Sequence, residues 1–148
     1  GVVMPPSEAA ATDAVARVEA SIGTETRSPV ACHGDLTPAS LFLDDERVWI
    51  VDFRWAGSGD AFEDLGSIAA HFDLSEARAD AMLAMYFGTV TEPARTKLTR
   101  LRPVIEYLGA MRALARSSVD AGRARLEAQR RLAEVVSAVG MLQRGTPS

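Results

Sequence analysis

Three side chains suited to acid/base or metal chemistry lie close together in the sequence. His33 and Asp35 flank Gly34 in one short loop, and Asp52 follows Asp35 by 17 residues, at the end of an apolar run. A carboxylate on a rigid loop can accept a proton from a hydroxyl or thiol, and a carboxylate at a strand end can hold a divalent cation. The spacing therefore predicts a site built around Asp35 and Asp52.

The segment between these two aspartates predicts a β-hairpin. Residues 41–43 and 48–51 are short runs of apolar, largely β-branched or aromatic side chains, and residues 44–47 form a polar turn between them. A short hairpin brings the residues at its entry and exit close together. We therefore expect Asp35 and Asp52 to lie within reach of each other.

The rest of the chain predicts helices. The glycines and polar residues of 57–60 indicate a turn, and Pro103 is expected to break or kink the helix that contains it. Apolar residues recur at helical spacing elsewhere, with Asp120 as the expected cap of the last segment, so we expect helices over 7–22, 62–72, 75–87, 91–102, 104–118 and 121–142. The predicted fold is mainly α with a small β-hairpin.

Length and composition restrict the classes of protein to consider. At 148 residues we expect a single domain, with a leading helix and loop in 1–30, a catalytic-loop and hairpin region in 31–66 and a helical bundle in 67–148. The apolar runs are too short to span a membrane, and we predict neither a secretory signal nor a membrane partner. The single cysteine, Cys32, excludes an internal disulfide, favours a cytoplasmic location and is expected to be buried and inert.

The charges are distributed unevenly along the chain. The net charge is −4, but residues 1–94 carry five basic and 16 acidic side chains, and residues 95–148 carry 11 basic and four acidic ones. The basic part has no block of lysine or arginine and only one aromatic residue, Tyr107, so nucleic acid is not an expected partner. The arginines of the last helix are typical of a solvated face, or could dock an acidic leader peptide or partner: Arg123, Arg125, Arg130 and Arg131.

The motifs together resemble one family. His33-Gly34-Asp35, the hairpin, Val51-Asp52-Phe53 and the acidic stretch 59–65 resemble the aminoglycoside/choline phosphotransferases, whose fold is that of protein kinases. The resemblance implies the carboxy-terminal lobe of that fold, with the amino-terminal lobe absent. It also implies Mg²⁺ and ATP as cofactors in a complete enzyme.

The same resemblance assigns roles to individual residues. It implies that Asp35 is the catalytic base and that Asp52 binds the metal ion. It further implies that His33 organises the loop and that Asp64 pins it through backbone hydrogen bonds. As an alternative, His33 could share in proton transfer, and the two site aspartates could merely cap backbone N–H groups.

The sequence departs from the family pattern at two site positions. Ser40 stands where the family has an asparagine metal ligand, and it is a weaker candidate for that role. Arg54 stands where the family has glutamate, which places a cation beside Asp52. We expect Arg54 and Trp55 to contact substrate. The only lysine of the chain is Lys97, and no lysine precedes His33 to grip phosphates.

Three functions remain open at this stage. The favoured one is a repurposed lobe that needs no cofactor and uses Asp35 or His33 as an acid/base group, for example as a cyclase that forms thioethers in a dehydrated peptide during natural-product biosynthesis. The second is a Mg²⁺- and ATP-dependent phosphotransferase for a small hydroxyl substrate, with its amino-terminal lobe missing or supplied in trans. The third is a non-catalytic, pseudokinase-type binding partner. The expected partners are a peptide or small-molecule substrate, a second protein or a second copy of the chain.

Overall fold

The computed structural model describes residues 6–22, 28–116 and 121–144. The chain divides into two compact units, one of residues 24–102 and the other of residues 1–23 with 103–148. The single-domain organisation expected from length stays a prediction. In the described residues no helix combines the length and apolar character that crossing a membrane requires.

The unit formed by the chain ends is helical. It contains helix α1 (Pro6–Ser21), helix α5 (Ala121–Arg144) and the part of helix α4 from Pro103 onward, since α4 spans Glu92–Arg116 and begins in the other unit. Aliphatic residues at helical spacing are buried where α1 packs against α5: Ala11, Ala14, Val15, Val18, Ala128, Leu132, Val135 and Val139. Asp120 lies outside the described residues, so its expected capping role has no structural counterpart here.

The strands form two separate antiparallel pairs in the other unit. Strand β1 (Val30–Cys32) pairs with β4 (Gly57–Gly59), and β2 (Leu41–Leu43) pairs with β3 (Val48–Ile50). The second pair confirms the predicted hairpin, with its last strand one residue shorter than expected. The turn predicted over 57–60 is wrong, because residues 57–59 form β4 opposite β1.

Two helices follow β4. Helix α2 (Ala61–His71) begins after Asp60, whose side chain accepts the Phe62 N–H at 2.9 Å. Helix α3 (Glu76–Phe87) ends at Gly88, which has a φ of 77°. A small core holds this unit together: Phe62, Leu65, Leu83, Ala94 and Leu98.

Of the break or kink expected at Pro103, the break is wrong, because α4 continues through this residue, and the kink stays a prediction. A proline inside a helix removes one backbone hydrogen bond and costs about 3 kcal/mol. Pro103 is buried together with Val104 and Ile105, and this apolar burial offsets the lost hydrogen bond. The division between the two units falls at this proline.

Candidate active site

The loop that carries Asp35 is fixed by a carboxylate of helix α2. Asp64, in the first turn of α2, accepts the backbone N–H of His33 at 2.6 Å and that of Gly34 at 2.9 Å, with one oxygen for each bond. Hydrogen bonds to an ionised acceptor are about twice as strong as neutral ones. This is the geometry that a loop-pinning role for Asp64 requires, although the role itself stays a prediction.

The His33 ring joins the loop to the end of the hairpin. Its Nδ1 accepts the Asp35 N–H at 3.3 Å, so the ring proton lies on Nε2, which donates to the Val51 carbonyl at 2.8 Å. The ring is buried and lies 4.9 Å from the Phe53 ring. Because backbone groups occupy both nitrogens, this geometry favours the organising role of His33 over a role in proton transfer.

The His33–Val51 hydrogen bond ties together the two segments that the sequence analysis singled out. Asp35 is half-buried on the loop side, and Asp52 follows directly after Val51 on the hairpin side. The loop receives one more bond, from the buried Ser67 hydroxyl to the Leu36 carbonyl at 2.8 Å. Sequence reasoning missed Ser67, because its partner lies 31 residues away and no local pattern links them.

Gly34 is a second residue whose importance the sequence alone does not reveal. Its φ is 79°, a conformation that residues with a side chain adopt only at a cost. A Cβ atom at this position would lie 2.4 Å from the backbone oxygen of Trp55. The position between His33 and Asp35 therefore requires a glycine for two independent reasons.

Ser40, the first candidate metal ligand, is hydrogen-bonded within its own turn. The side chain is buried at the end of the 3₁₀ turn Pro38–Ser40. Its hydroxyl donates to the Thr37 carbonyl at 2.8 Å and accepts the Thr37 N–H at 2.9 Å. These two bonds close the turn, so the hydroxyl acts as a backbone cap here.

Asp52, the second candidate, is paired with a cation. Its backbone is left-handed (φ 65°, ψ 54°) and precedes the 3₁₀ turn Phe53–Trp55. One carboxylate oxygen accepts the Nε–H of Arg54 at 2.8 Å, and both side chains are about half exposed. Within the parts of the chain that the structure describes, no three His, Cys, Asp or Glu side chains form a group that could hold a metal ion. Ser40 is thus engaged by Thr37 and one Asp52 oxygen by Arg54, and the metal-binding roles that the family resemblance implies for these two residues stay predictions.

The hairpin and the turn after it expose a continuous run of large apolar side chains. We name this set the hairpin surface, and each member is at least 40% exposed: Phe42, Leu43, Val48, Trp49, Ile50, Val51, Phe53 and Trp55. Because Phe42 faces Trp49 and Leu43 faces Val48 across the strands, both faces of the hairpin are apolar. Trp55 and the half-exposed Arg54, the expected substrate contacts, lie at the end of this surface.

The only lysine is part of the scaffold of helix α2. Lys97 Nζ donates to the Asp60 carboxylate at 2.5 Å and lies 4.8 Å above the Phe62 ring. Its side chain is only 15% exposed. The pairing joins residues 37 positions apart, so no local pattern in the sequence indicates it.

Cys32 is the last residue of β1, directly before the loop, and it is buried, as expected. Burial raises the pKa of its thiol, and the nearby carboxylates of Asp64, Glu63 and Asp60 raise that pKa further. A thiol with a raised pKa is a poor nucleophile at neutral pH. The environment of Cys32 is therefore that of an inert cysteine.

The arginines of α5 bond to acidic residues of the same helix. Arg130 and Arg131 both donate to Glu127 at 3.0 Å, and these bonds lower the pKa of Glu127 to about 2. The side chains of Arg123 and Arg125 lie outside the described residues. Pairing within the helix favours a solvated face for Arg130 and Arg131 over a docking face.

Comparison with known proteins connects this geometry to a family. Residues 5–103 match the model of the phosphotransferase enzyme family. Protein LicA of Haemophilus influenzae strain Rd is 30% identical over 66 residues, which are 45% of this chain and 25% of that protein. A second LicA from the same species is equally similar over 20% of its length.

Two solved structures share the fold. A choline/ethanolamine kinase family protein from Mesorhizobium loti superposes with a TM-score of 0.69 at 20% identity, over 95% of this chain and 53% of that one. A spectinomycin phosphotransferase in complex with ADP and spectinomycin gives a TM-score of 0.54 at 16% identity, over 90% of this chain and 44% of that one. This chain therefore spans about half the length of these structures and about a quarter of LicA. The likeness confirms the expected kinase-like lobe with mainly helical architecture.

Proposed function

Because the chain belongs to the phosphotransferase enzyme family, we propose that it is a lobe of that fold repurposed for acid/base chemistry. In this proposal Asp35 accepts the proton of a hydroxyl or thiol on a small molecule or peptide. The lobe carries out this step with neither Mg²⁺ nor ATP. Fold likeness alone does not define a reaction, because the reaction depends on the residues and geometry of the site.

One observation carries the proposal: the loop next to Asp35 is held from two sides. Asp64 binds the two backbone N–H groups that precede Asp35, and the His33 ring binds the Asp35 N–H itself. A general base is effective only when its position is fixed within hydrogen-bonding reach of the proton it removes. The framework around Asp35 has this property.

Two side chains to which the family resemblance assigns metal binding make other contacts. Arg54 occupies the Asp52 carboxylate, and Ser40 closes its own turn. These pairings support a reaction in which substrate orientation and a base suffice.

Calorimetry of Mg²⁺-ATP with the purified chain tests the cofactor part of the proposal. We expect no binding up to millimolar nucleotide. The matched control is Asp52→Ala, which should behave like the unmodified chain. Micromolar binding that disappears in Asp52→Ala would replace this proposal with ATP-dependent phosphotransfer.

We propose thiol addition to a dehydroamino acid as the specific form of this chemistry: the sulfur bonds to the β-carbon, the C=C double bond becomes a single bond, and the proton that Asp35 takes from the thiol is returned to the α-carbon. The probe is a peptide that contains one cysteine and one dehydroalanine, and the readout is loss of free thiol, measured by alkylation and mass spectrometry. The chain should accelerate the loss, and Asp35→Asn should abolish the acceleration. Asp45→Asn, which removes an equal charge from the exposed hairpin turn, should leave it unchanged. No acceleration by the unmodified chain would exclude this form.

A second candidate function is a lobe that works only in a complex. The hairpin surface favours it, because a hairpin that exposes large apolar side chains on both faces is poorly stable in water. A second polypeptide, or another copy of this chain, would cover this surface. Under this candidate the partner could also supply the nucleotide site. Binding of Mg²⁺-ATP only in the presence of such a partner would favour it.

A further inference from the structure

The contact between Asp52 and Arg54 has consequences for metal binding. The Arg54 Nε–H donates to one oxygen of the Asp52 carboxylate at 2.8 Å. A guanidinium keeps its positive charge at every pH that proteins tolerate. It therefore offsets the negative charge that would attract a divalent cation and occupies one of the two oxygens that could bind it.

We propose that Arg54 is a built-in cation that excludes divalent metal ions from Asp52. Arg54 is then a specificity-determining residue, since it sets which cation the carboxylate carries. The inference concerns cation binding alone. It does not require Asp35 to act as a base, so the two proposals can fail separately.

The local backbone supports the pairing. Asp52 is left-handed and precedes a single 3₁₀ turn, and its carboxylate makes no capping bond to that turn. The carboxylate is thus available to the side chain two residues later. Aspartate adopts left-handed φ values more readily than most residues, and asparagine shares this property. Asp52→Asn should therefore preserve the backbone while removing the charge.

Ser40 makes the exclusion more effective. Its hydroxyl is held by both backbone groups of Thr37, so Asp52 would have to bind a cation with little help from the turn. Affinity for hard cations depends on the number of charged oxygen ligands. Replacing Arg54 by glutamate changes this balance most, because one substitution removes a cation and adds a carboxylate.

The experiment uses Mn²⁺ as the probe and the full chain as the protein. Electron paramagnetic resonance measures the aqueous Mn²⁺ signal, which decreases when the ion binds. We compare the unmodified chain with Arg54→Ala and Arg54→Glu, each with and without Asp52→Asn. Arg47→Ala is the matched control, since it removes a nearby arginine, in the hairpin turn, that lies over Trp49 and does not contact Asp52.

We expect the unmodified chain and Arg47→Ala to leave the Mn²⁺ signal nearly unchanged at millimolar ion. Arg54→Ala should bind Mn²⁺ measurably, and Arg54→Glu should bind it about tenfold more tightly than the unmodified chain. Asp52→Asn should abolish both gains. Circular dichroism of each variant establishes that it remains folded.

Three results would overturn the inference. One is an unmodified chain that binds Mn²⁺ through Asp52 as tightly as Arg54→Glu does. Another is no gain in either Arg54 variant, which would show that Arg54 is not what excludes the ion. The last is an equal gain in Arg47→Ala, which would assign the effect to the general charge of the hairpin.

Discussion

The loop around Asp35 and the hairpin surface are neighbours in sequence, yet they are stabilised in opposite ways. In the loop, backbone N–H groups of His33, Gly34 and Asp35 all have side-chain acceptors, and the His33 ring is buried. In the hairpin surface, all eight large apolar side chains are exposed. The two regions meet at the hydrogen bond from His33 to the Val51 carbonyl.

This difference distinguishes residues whose substitution should destabilise the fold from residues whose substitution should change its stability little. Substitutions in the loop remove hydrogen bonds to backbone groups, and an unsatisfied buried polar group costs about 1–3 kcal/mol. Substitutions around Asp52 change exposed charges, which contribute about 0–1 kcal/mol. Departures from the family pattern, such as Arg54, can therefore accumulate on the hairpin side without loss of the fold.

The largest effect should come from Gly34→Ala. The new Cβ would meet the Trp55 carbonyl at 2.4 Å, and alanine would be held at a φ of 79°. The clash and the strain together should lower the free energy of unfolding by about 3 kcal/mol or more, measured by urea denaturation.

Two other glycines separate the clash from the strain. Gly88 has a φ of 77° but open space around it, so Gly88→Ala should cost about 1 kcal/mol. Gly57 has open space and no positive φ, and its substitution should change stability by less than about 1 kcal/mol. Equal losses of unfolding free energy in the three variants would contradict the combination of clash and strain at Gly34.

Asp64→Asn should have the next largest effect. The amide offers one acceptor oxygen, so its NH₂ group would face one of the two N–H donors of the loop. We expect a loss of about 2 kcal/mol in the free energy of unfolding. The same change at Asp52 should cost less than about 1 kcal/mol, because its ion pair is exposed. A larger loss at Asp52 would reverse the comparison between the two regions.

A smaller effect should appear in the pH dependence of stability through Cys32. Burial raises the pKa of this thiol above its usual value in the folded state, so the unfolded chain releases the proton first. The stabilisation is complete below the usual thiol pKa and should be lost as pH rises toward the raised one. Urea denaturation of the chain and of Cys32→Ala between pH 7 and about 10 measures it. Identical pH profiles for the two proteins would contradict the raised pKa.

The smallest change in stability should follow Phe42→Thr in the hairpin surface. Phe42 faces Trp49 across the strands, and such a pair contributes about 0.2–1 kcal/mol. Self-association through this surface should decrease by more than the stability does, because an exposed aromatic ring is lost. Sedimentation velocity over a range of concentrations measures this decrease, with Met85→Thr as a control, since Met85 is exposed on helix α3. Equal decreases in both variants would argue against the hairpin surface as a contact.

The local patterns of the sequence predicted the parts of this fold that depend on neighbouring residues. The hairpin of β2 and β3 follows from two apolar runs around a polar turn, and the end of α3 follows from Gly88. The turn assigned to residues 57–60 failed, because glycines favour turns in general while β4 forms through pairing with distant β1. Pro103 failed as a helix breaker, because burial of its surroundings outweighs one lost hydrogen bond.

The sequence singled out candidate residues and, through the family resemblance, the bonds from Asp64 to the loop backbone, but not the other contacts of the candidate site. The sequence identified Asp35, Asp52 and Arg54 from their types and spacing. It could not show that the Arg54 side chain binds Asp52, because an exposed arginine can adopt many rotamers. Similarly, the bond from Ser67 to Leu36 joins residues that only the folded chain brings together.

The ion pair between Lys97 and Asp60 gives the candidate site a remote support. Asp60 precedes helix α2, and Asp64 lies one helical turn further along the same helix. Lys97 on α4 therefore holds the end of the helix whose first turn holds the loop. Removing the charge of this ammonium group would weaken the series of contacts that connects Lys97, through α2, to the backbone beside Asp35. A residue 62 positions away from Asp35 in the sequence would thus affect how firmly the backbone beside Asp35 is held.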